Sequence, residues 1–296
     1  MRPAALVAAG VVALGAAPTA LSAPACAGPA DRAAAQRAAA WLAARPAAGM
    51  APGQQADAIG ALRAAGRSPA ALRGRARVLA RVAPGYARTP GAAGKVALAT
   101  VAAGLPAGRL GGVDYLARIR RSYADGRYGA SAFDQALSIL ALRAAGQRVP
   151  PGAVAALRGA RGPGGWNFAL RRGGPDAVDS TALVLEALAA AGVRRSDVHV
   201  RGALAWLARQ RARDGGYAAA GGRRPSEANP TALVIRAQCA LGLTPPPATR
   251  AALRRLAAAD GRIRFTRASE GSALLATLDA LPALAGDPLP VRTGRR

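Results

Sequence analysis

The stretch DAVDSTALVLEALAAAG, from Asp176 to Gly192, carries the pattern that decides the fold. After an acidic opening, its residues are apolar on nearly every side of a helix, and a helix of this kind is buried on most sides. Similar stretches recur at intervals of roughly 40 to 50 residues, a spacing typical of helical-hairpin repeats. Six of them align on an alanine followed by Leu or Ile, at Ala58, Ala97, Ala136, Ala182, Ala232 and Ala273.

A second helix precedes each apolar helix. The example RGALAWLARQRARD, residues 201–214, carries arginines on one face and is therefore expected to face outward. Gly-rich turns with an aromatic residue, such as GPGGWNF at residues 162–168, connect the two helices, because Gly ends a helix in the left-handed conformation. We predict an all-α fold, an α/α toroid of about six hairpins with the apolar helices inside. An open solenoid is the alternative, and it would need polar capping repeats at both ends.

Residues 1–27 predict a secretory signal peptide. Arg2 supplies the positive start, an apolar run covers residues 4–17, and small residues follow. We expect cleavage near Ala23 or Ala27, so the protein is predicted to be secreted or extracytoplasmic.

The rest of the chain divides into a repeat domain in residues 28–286 and a tail in residues 287–296, which we predict to be disordered. The chain has only two cysteines, Cys26 and Cys239. If Cys26 leaves with the signal peptide, no intramolecular disulfide can form and Cys239 is a buried, inert thiol. Lipidation of Cys26 is an alternative that the sequence leaves open.

Charge is the most unusual property of the composition. The chain has 41 Lys and Arg residues against 15 Asp and Glu residues, which gives a formal net charge of +26. The arginines are spread along the chain and no nucleic-acid recognition motif accompanies them, so we predict no nucleic-acid partner. An Arg-rich scaffold in loose contact with an anionic envelope is an alternative function.

The hairpins resemble those of the terpenoid cyclase and protein prenyltransferase superfamily, especially of the squalene–hopene cyclase type. The unit RGALAWLARQRARDGGY follows the order of the family's glutamine–tryptophan repeat, with Trp206, Gln210 and then Asp214 to Tyr217. Tyr217 stands where the family has Trp, and the spacing after Gln210 is longer than in the family. The resemblance covers essentially the whole chain after the signal peptide and implies the toroid, but a fold does not fix a function.

The resemblance also implies a place for a catalytic acid. The cyclases carry an Asp-x-Asp-Asp-Thr-Ala motif whose middle aspartate protonates an alkene or an epoxide. Matching Thr181 and Ala182 to its end places Asp179 at the middle position. Ala177 and Ser180 replace the other aspartates, although so strong an acid needs them, and the aromatic residues that would stabilise carbocations are only 4% of the chain. We therefore predict a protein without catalytic activity, in which a cyclase-like role of Asp179 is the alternative.

Metal and carbohydrate chemistry find different support in the sequence. The prenyltransferase relatives bind zinc through Asp, Cys and His, whereas His199 is the only histidine of this chain. We predict neither a metal site nor a cofactor. A carbohydrate-active toroid that uses two of Asp134, Asp179 and Glu270 as a carboxyl pair is a further alternative.

The first turns of the apolar helices offer both a structural and a functional interpretation. Asp179 suits a helix N-cap, and Asn229, followed by Pro230, suits the same role in the next repeat. In a toroid, these turns also meet at one end of a central cavity, where they form a polar ring that includes Lys95. We predict that this end binds a small or elongated apolar molecule, isoprenoid-like or, by resemblance to exported corrinoid-binding toroids, a corrinoid. The predicted ligand-binding residues are Asp134, Asp179, Asn229, Glu270, Tyr128, Trp166, Phe168 and Tyr217.

Overall fold

The computed structural model describes residues 26–290 apart from residues 107 and 223. The part of the predicted signal peptide before residue 26 and the part of the predicted tail after residue 290 lie outside the described residues. Within them the chain forms α-helices α1 to α12, a 3-10 helix at Ala47–Gly49 and one two-stranded antiparallel sheet. The predicted all-α fold is confirmed, because the sheet is only a short hairpin of Arg109–Leu110 and Val113–Asp114.

Every second helix is 13 residues long and carries a large share of the buried side chains, as the apolar pattern predicts. We call these six the inner helices. They are α2 Pro52–Ala64, α4 Pro90–Ala102, α6 Ala132–Ala144, α8 Val178–Ala190, α10 Ala228–Ala240 and α12 Ala273–Ala285.

The other helices bury a narrower stripe of residues. In the helix from Val198 to Gln210, only Val200, Ala203 and Leu207 are buried, a spacing that places them on one face. The remaining faces carry the arginines. These outer helices are α1 Pro29–Ala43, α3 Pro69–Tyr86, α5 Tyr115–Arg121, α7 Pro151–Ala160, α9 Val198–Gln210 and α11 Pro247–Arg254.

The inner helices pack against one another in chain order. Each contacts the next inner helix, and α12 contacts α2, so the series of contacts returns to its start. Asp57 of α2 pairs with Lys95 of α4, and each is the sixth residue of its helix. Glu186 of α8 pairs with Arg236 of α10, and each is the ninth. At the start of α4, Gly91 binds Asp134 of α6. One turn farther along, Gly94 lies against Leu137, so α4 and α6 run in the same direction.

A hydrogen bond repeated in three hairpins defines the register of the repeats. The hydroxyl oxygen of Thr181 accepts the backbone N–H of Trp166 at 2.8 Å. Thr231 accepts the N–H of Tyr217, and Thr277 that of Ile263, each at 2.9 Å. The residues after these threonines are therefore equivalent, and they are Ala182, Ala232 and Leu278. The alignment on Ala273 is wrong in the last repeat, because an alanine-rich chain offers several Ala–Leu pairs to align on.

The N-terminal segment is joined to α10 by a disulfide. Cys26 and Cys239 are bonded, with Cα atoms 5.6 Å apart and a sequence separation of 213 residues. The expectation of a free Cys239 thiol is therefore wrong for a chain that keeps Cys26. Cys239 is partly buried against the core, so the disulfide fixes the beginning of the chain beside the end of an inner helix.

The C-terminal segment folds back onto the core. Gly286 ends α12 in the left-handed conformation, with φ of 74°, and lies against Ala27, which leaves no room for a Cβ atom there. The backbone N–H of Leu289 then donates to the Glu186 carboxylate at 2.7 Å. The first residues of the predicted disordered tail, up to Pro290, are thus in contact with the core, and the remaining tail residues lie outside the described part of the chain.

Candidate functional site

The aromatic residues of the turns are packing residues. Tyr128, Trp166 and Tyr217 are fully buried or nearly so. The indole N–H of Trp166 donates to the carbonyl oxygen of Leu157 in α7 at 2.7 Å, which ties the turn to its outer helix. Burial, with Tyr123 beside it, raises the pKa of Tyr128 to about 12. These three side chains are therefore occupied in holding each turn between an inner and an outer helix.

Phe168 differs from the other predicted aromatic residues. Its side chain is 62% exposed, and its ring lies 5.7 Å from that of Phe133, measured between centroids. The pair forms a small apolar patch on the surface next to the first turn of α6.

Asp134 connects two inner helices at their first turns. One carboxylate oxygen accepts the backbone N–H of Gly91 in α4 at 2.9 Å, and the other accepts the hydroxyl of Ser131 at 2.8 Å. The first N–H groups of a helix lack partners within that helix, so this bond satisfies one of them in α4. Asp134 therefore fixes α6 against α4.

Asp179 is not the N-cap of its helix. Ala177 holds that position, and Asp179 is the second residue of α8, where its carboxylate accepts the N–H of Ser180 at 2.6 Å. The capping interpretation is wrong, although a negative charge in the first turn still favours the helix. The nearby Asp176 holds the turn instead, since it accepts the N–H groups of Gly164 and Gly165.

Asn229 and Glu270 also make local contacts. Glu227 is the N-cap of α10, so Asn229 is not a cap either, and its amide donates to the Asp279 carboxylate at 2.6 Å. Glu270 forms an ion pair with Arg262 and is 57% exposed. Among the described residues, no hydrogen bond or ion pair joins any two of the four predicted polar site residues, which are Asp134, Asp179, Asn229 and Glu270.

Charged side chains come together farther along the inner helices, where the sequence analysis did not place a site. Five inner helices each contribute one of them, at the middle of an otherwise largely apolar helix. Two ion pairs dominate, between Lys95 and Asp57 at 2.6 Å and between Arg236 and Glu186 at 2.6 Å. Arg236 also lies 3.9 Å from Asp279. We call this set the central charged cluster, and its members are Asp57, Lys95, Glu186, Arg236 and Asp279.

The ion pair between Glu186 and Arg236 is the most deeply buried part of the cluster. Their side chains are 1% and 5% exposed, and two nitrogen atoms of the guanidinium bind the two carboxylate oxygens at 3.2 and 2.6 Å. Burial raises the pKa of Glu186, and the guanidinium opposes that shift only in part. Burial also disfavours the charge of Arg236, but Glu186 and Asp279 outweigh this and raise its pKa. Arg236 is therefore a fixed positive charge at the centre of the fold.

The other cluster residues have shifted pKa values as well. Burial raises the pKa of Asp279, against the opposing effects of Arg236 and the Asn229 amide. For Lys95, burial lowers the pKa, but the carboxylate of Asp57 more than compensates and the pKa is raised. Lys95 and Arg236 thus stay charged at neutral pH, while the raised pKa values of Glu186 and Asp279 favour the neutral forms of these two carboxyl groups.

A small cavity lies beside the cluster. Its volume is about 50 Å³, and its walls come mainly from α2, α4 and α12. Small residues such as Gly60 and Ala99 leave the space, and Lys95, Arg236 and Asp279 supply polar groups to its surface. A volume of this size holds a few water molecules. Polar groups around an otherwise apolar space are what a small-ligand site provides.

Leu289 closes this cavity from the C-terminal segment. Its side chain is part of the cavity wall, and its backbone N–H binds Glu186. The chain therefore places an apolar group and an adjacent hydrogen-bond donor of its own against the central charged cluster.

The sequence contained a signal for this site. Glu186 and Arg236 interrupt helices that are apolar on all sides, and a charge in such a helix has to be paired, because an unpaired buried charge is strongly unfavourable. They are 50 residues apart, which is one repeat. Because they occupy the same position in successive repeats, an alignment of the repeats predicts that they are partners.

The described part of the chain was compared with the requirements of a metal site and of a membrane-spanning helix. It contains no group of three or more His, Cys, Asp and Glu residues arranged to hold a metal ion. Among the described residues, no helix combines the length and the apolar character needed to cross a bilayer. Comparison of the chain with models of known protein families and with curated protein sequences gives no match.

Proposed function

We propose that the chain is an exported binding protein without catalytic activity, built as an α/α toroid. The contacts that run from α2 through the inner helices to α12 and back to α2 support this architecture. The outer helices with their exposed arginines support it too, since one hairpin per repeat is the plan of a toroid. The absence of catalysis is supported by Asp134 and Glu270, whose carboxylates are engaged in a helix contact and a surface ion pair.

The ligand site of this proposal is the cavity beside the central charged cluster. The observation that carries it is the position of Leu289, which lines the cavity while its backbone N–H binds Glu186. A ligand that replaces Leu289 would present the same chemistry, a narrow apolar chain with a hydrogen-bond donor at one end. An isoprenoid-like alcohol has this form. A volume of about 50 Å³ favours such a narrow chain over the wide ring of a corrinoid.

Export is supported by the disulfide between Cys26 and Cys239. Disulfides persist in oxidising compartments and are rare in the cytosol. The intact mass of the secreted protein, measured before and after reduction, tests this part of the proposal. We expect an N-terminus that lies before Cys26 and a mass that rises on reduction by the hydrogens of one disulfide. A mature chain that starts after Cys26 would contradict it.

Native mass spectrometry tests the binding function. The secreted protein is incubated with 3-methyl-2-butenol, a five-carbon isoprenoid alcohol, and its native mass is compared with its denatured mass. We expect a discrete mass excess that disappears on denaturation, and a larger bound fraction in Leu289→Ala, because the smaller side chain opens the cavity. The matched control is Leu275→Ala, since Leu275 is 42% exposed and lies outside the cavity wall. No excess in any of the three proteins would overturn the proposed ligand class.

A further inference from the structure

A second cleft lies on the outside of the molecule, where the end of α7 meets the start of α9. Its volume is about 400 Å³, and it is lined by Arg158, Arg161, Arg172 and His199 together with the backbone of the adjoining turns. The proposed function does not use it. The only histidine of the chain and three guanidinium groups thus line one cleft.

Each arginine of the cleft is held on one side. Arg158 pairs with Asp197 at 2.7 Å, Arg161 donates to the carbonyl oxygen of Gly164 at 3.1 Å, and Arg172 donates to that of Gly159 at 2.9 Å. These bonds use only part of the five N–H donors that each guanidinium carries. The groups are therefore oriented by the protein while donors remain for a ligand.

One donor in the cleft has no acceptor. The Nε–H of Arg161 is buried and has no hydrogen-bond partner among the described residues. A buried donor without a partner is unfavourable, so its persistence calls for an explanation. Gly202 of α9 lies against the same guanidinium and has no side chain to displace it. Gly202 thus leaves space for the Arg161 guanidinium, but no described residue accepts a hydrogen bond from its Nε–H.

Carboxylates near the cleft do not cancel its charge. Asp197 binds Arg158 and also accepts the N–H of His199 as the N-cap of α9. One oxygen of Asp176 is occupied by the N–H groups of Gly164 and Gly165, and its other oxygen has no partner among the described residues. Two carboxylates stand against three guanidinium groups, which leaves an excess of positive charge.

We infer that this cleft binds a phosphate monoester. Guanidinium groups bind carboxylates and phosphates through two parallel hydrogen bonds, but a carboxylate offers only two oxygens. A phosphate monoester offers three acceptor oxygens and a charge of about −1.5 to −2 at neutral pH, which matches three guanidinium groups around one space. Its oxygens bind the guanidinium N–H groups of the three arginines that line the cleft. The ester can belong to a soluble molecule or to a lipid headgroup, and the experiment separates the two sources.

Titration calorimetry with glycerol 3-phosphate and sedimentation with vesicles that contain phosphatidic acid test the site in the full-length secreted protein. We expect binding to at least one probe, weakened about tenfold or more in the double variant Arg161→Gln/Arg172→Gln. The control is Arg73→Gln/Arg77→Gln on α3, which removes the same charge from exposed positions away from the cleft. We expect it to weaken binding less than about twofold.

The outcomes are distinct. Binding of glycerol 3-phosphate identifies a soluble ester, and binding of the vesicles alone identifies a lipid headgroup. An equal loss in the cleft variant and the control variant would show diffuse attraction to a basic surface and would overturn the site, as would no binding to either probe. Because Arg172 is exposed, Arg172→Gln alone keeps the test valid if the double variant does not fold.

Discussion

The first turns of the inner helices and the middles of the same helices both carry polar side chains, but the two regions satisfy them differently. In the turns, the partners are mostly backbone groups, as in the bond from the N–H of Trp166 to Thr181, 15 residues away. In the middles, the partners are charged side chains of the neighbouring inner helix, 38 residues apart for Lys95 and Asp57 and 50 for Arg236 and Glu186.

We interpret the polar groups of the first turns as structural, and those in the middles of the inner helices as available for function. A hydrogen bond from a turn to the helix that follows it stabilises one hairpin and can be made in every repeat. Buried ion pairs are a poor source of stability, because the desolvation of two charges offsets their attraction. The central charged cluster therefore needs a reason other than stability, and the adjoining cavity with Leu289 at its wall supplies one.

The largest effect is expected when one partner of the buried ion pair is removed. Arg236→Ala leaves Glu186 buried and unpaired, so we expect the free energy of unfolding to fall by about 3–5 kcal/mol. Denaturant unfolding of the purified protein measures this loss. The control Arg201→Ala, at an exposed position of α9, is expected to change stability by less than about 0.5 kcal/mol.

A double variant sharpens this result. Glu186→Leu combined with Arg236→Met replaces both charges with apolar groups, and we expect it to recover most of the lost stability. If Arg236→Ala alone lost less than about 1 kcal/mol, the pair would be solvated and the distinction between the two regions would fail.

A smaller loss is expected in the turns. Thr181→Val keeps the shape of a buried side chain but removes the acceptor of the Trp166 N–H, so we expect a loss of about 1–3 kcal/mol. Thermal or denaturant unfolding measures it. Ser138→Ala is the matched control, because the Ser138 hydroxyl is also buried but has no partner among the described residues, and its removal is expected to be neutral or stabilising. Equal losses of stability in Thr181→Val and Ser138→Ala would mean that the hydrogen bond from the Trp166 N–H does not stabilise the turn.

The repeats could be predicted from the sequence because a helical period and a Gly-rich turn are local patterns. The hairpin around Thr181 follows from about 30 consecutive residues of sequence. The register of the last repeat could not be predicted, since the residue equivalent to Ala182 is Leu278, which does not fit the alanine anchor, whereas Ala273 does.

The candidate site could be predicted only in part. Asp134, Asp179 and Asn229 do lie in the first turns of inner helices, whereas Glu270 precedes the N-cap of α12. The sequence does not distinguish a free carboxylate from that of Asp134, whose partner Gly91 is 43 residues away. The contact of Leu289 with Glu186, across 103 residues, leaves no periodic trace in the sequence at all. A contact between residues so far apart in the chain cannot be predicted from the periodicity of neighbouring residues.

The pH dependence of stability offers a finer test of the middle region. The pKa of Asp279 is raised, so the folded chain holds its proton more tightly than the unfolded chain. The stability gained from this proton is present below about pH 4 and is lost as the pH rises through the raised pKa. Asp279→Asn cannot titrate, so we expect its stability relative to the unsubstituted protein to increase from pH 4 to pH 7.

Denaturant midpoints of the two proteins across this range measure the difference. Asp279 is 34% exposed where it borders the cavity, so solvent moderates the effect. A difference that does not change with pH would mean that Asp279 is ionised as easily in the folded chain as in the unfolded one. A difference that decreases would mean that the attraction of Arg236 dominates over burial.

The smallest effect is expected at Asp179, although its sequence context pointed to chemistry. Its carboxylate accepts only the N–H of Ser180 and, weakly at 3.5 Å, the hydroxyl of the same residue. Asp179→Asn removes a negative charge from the first turn of α8, and we expect a loss of about 0.3–1 kcal/mol from that helix-dipole interaction. The mass excess from the bound isoprenoid alcohol should not change, because Asp179 is absent from the wall of the cavity. Loss of that excess in Asp179→Asn with the fold intact would move the site back to the turns, since no contact of the middle region depends on this carboxylate.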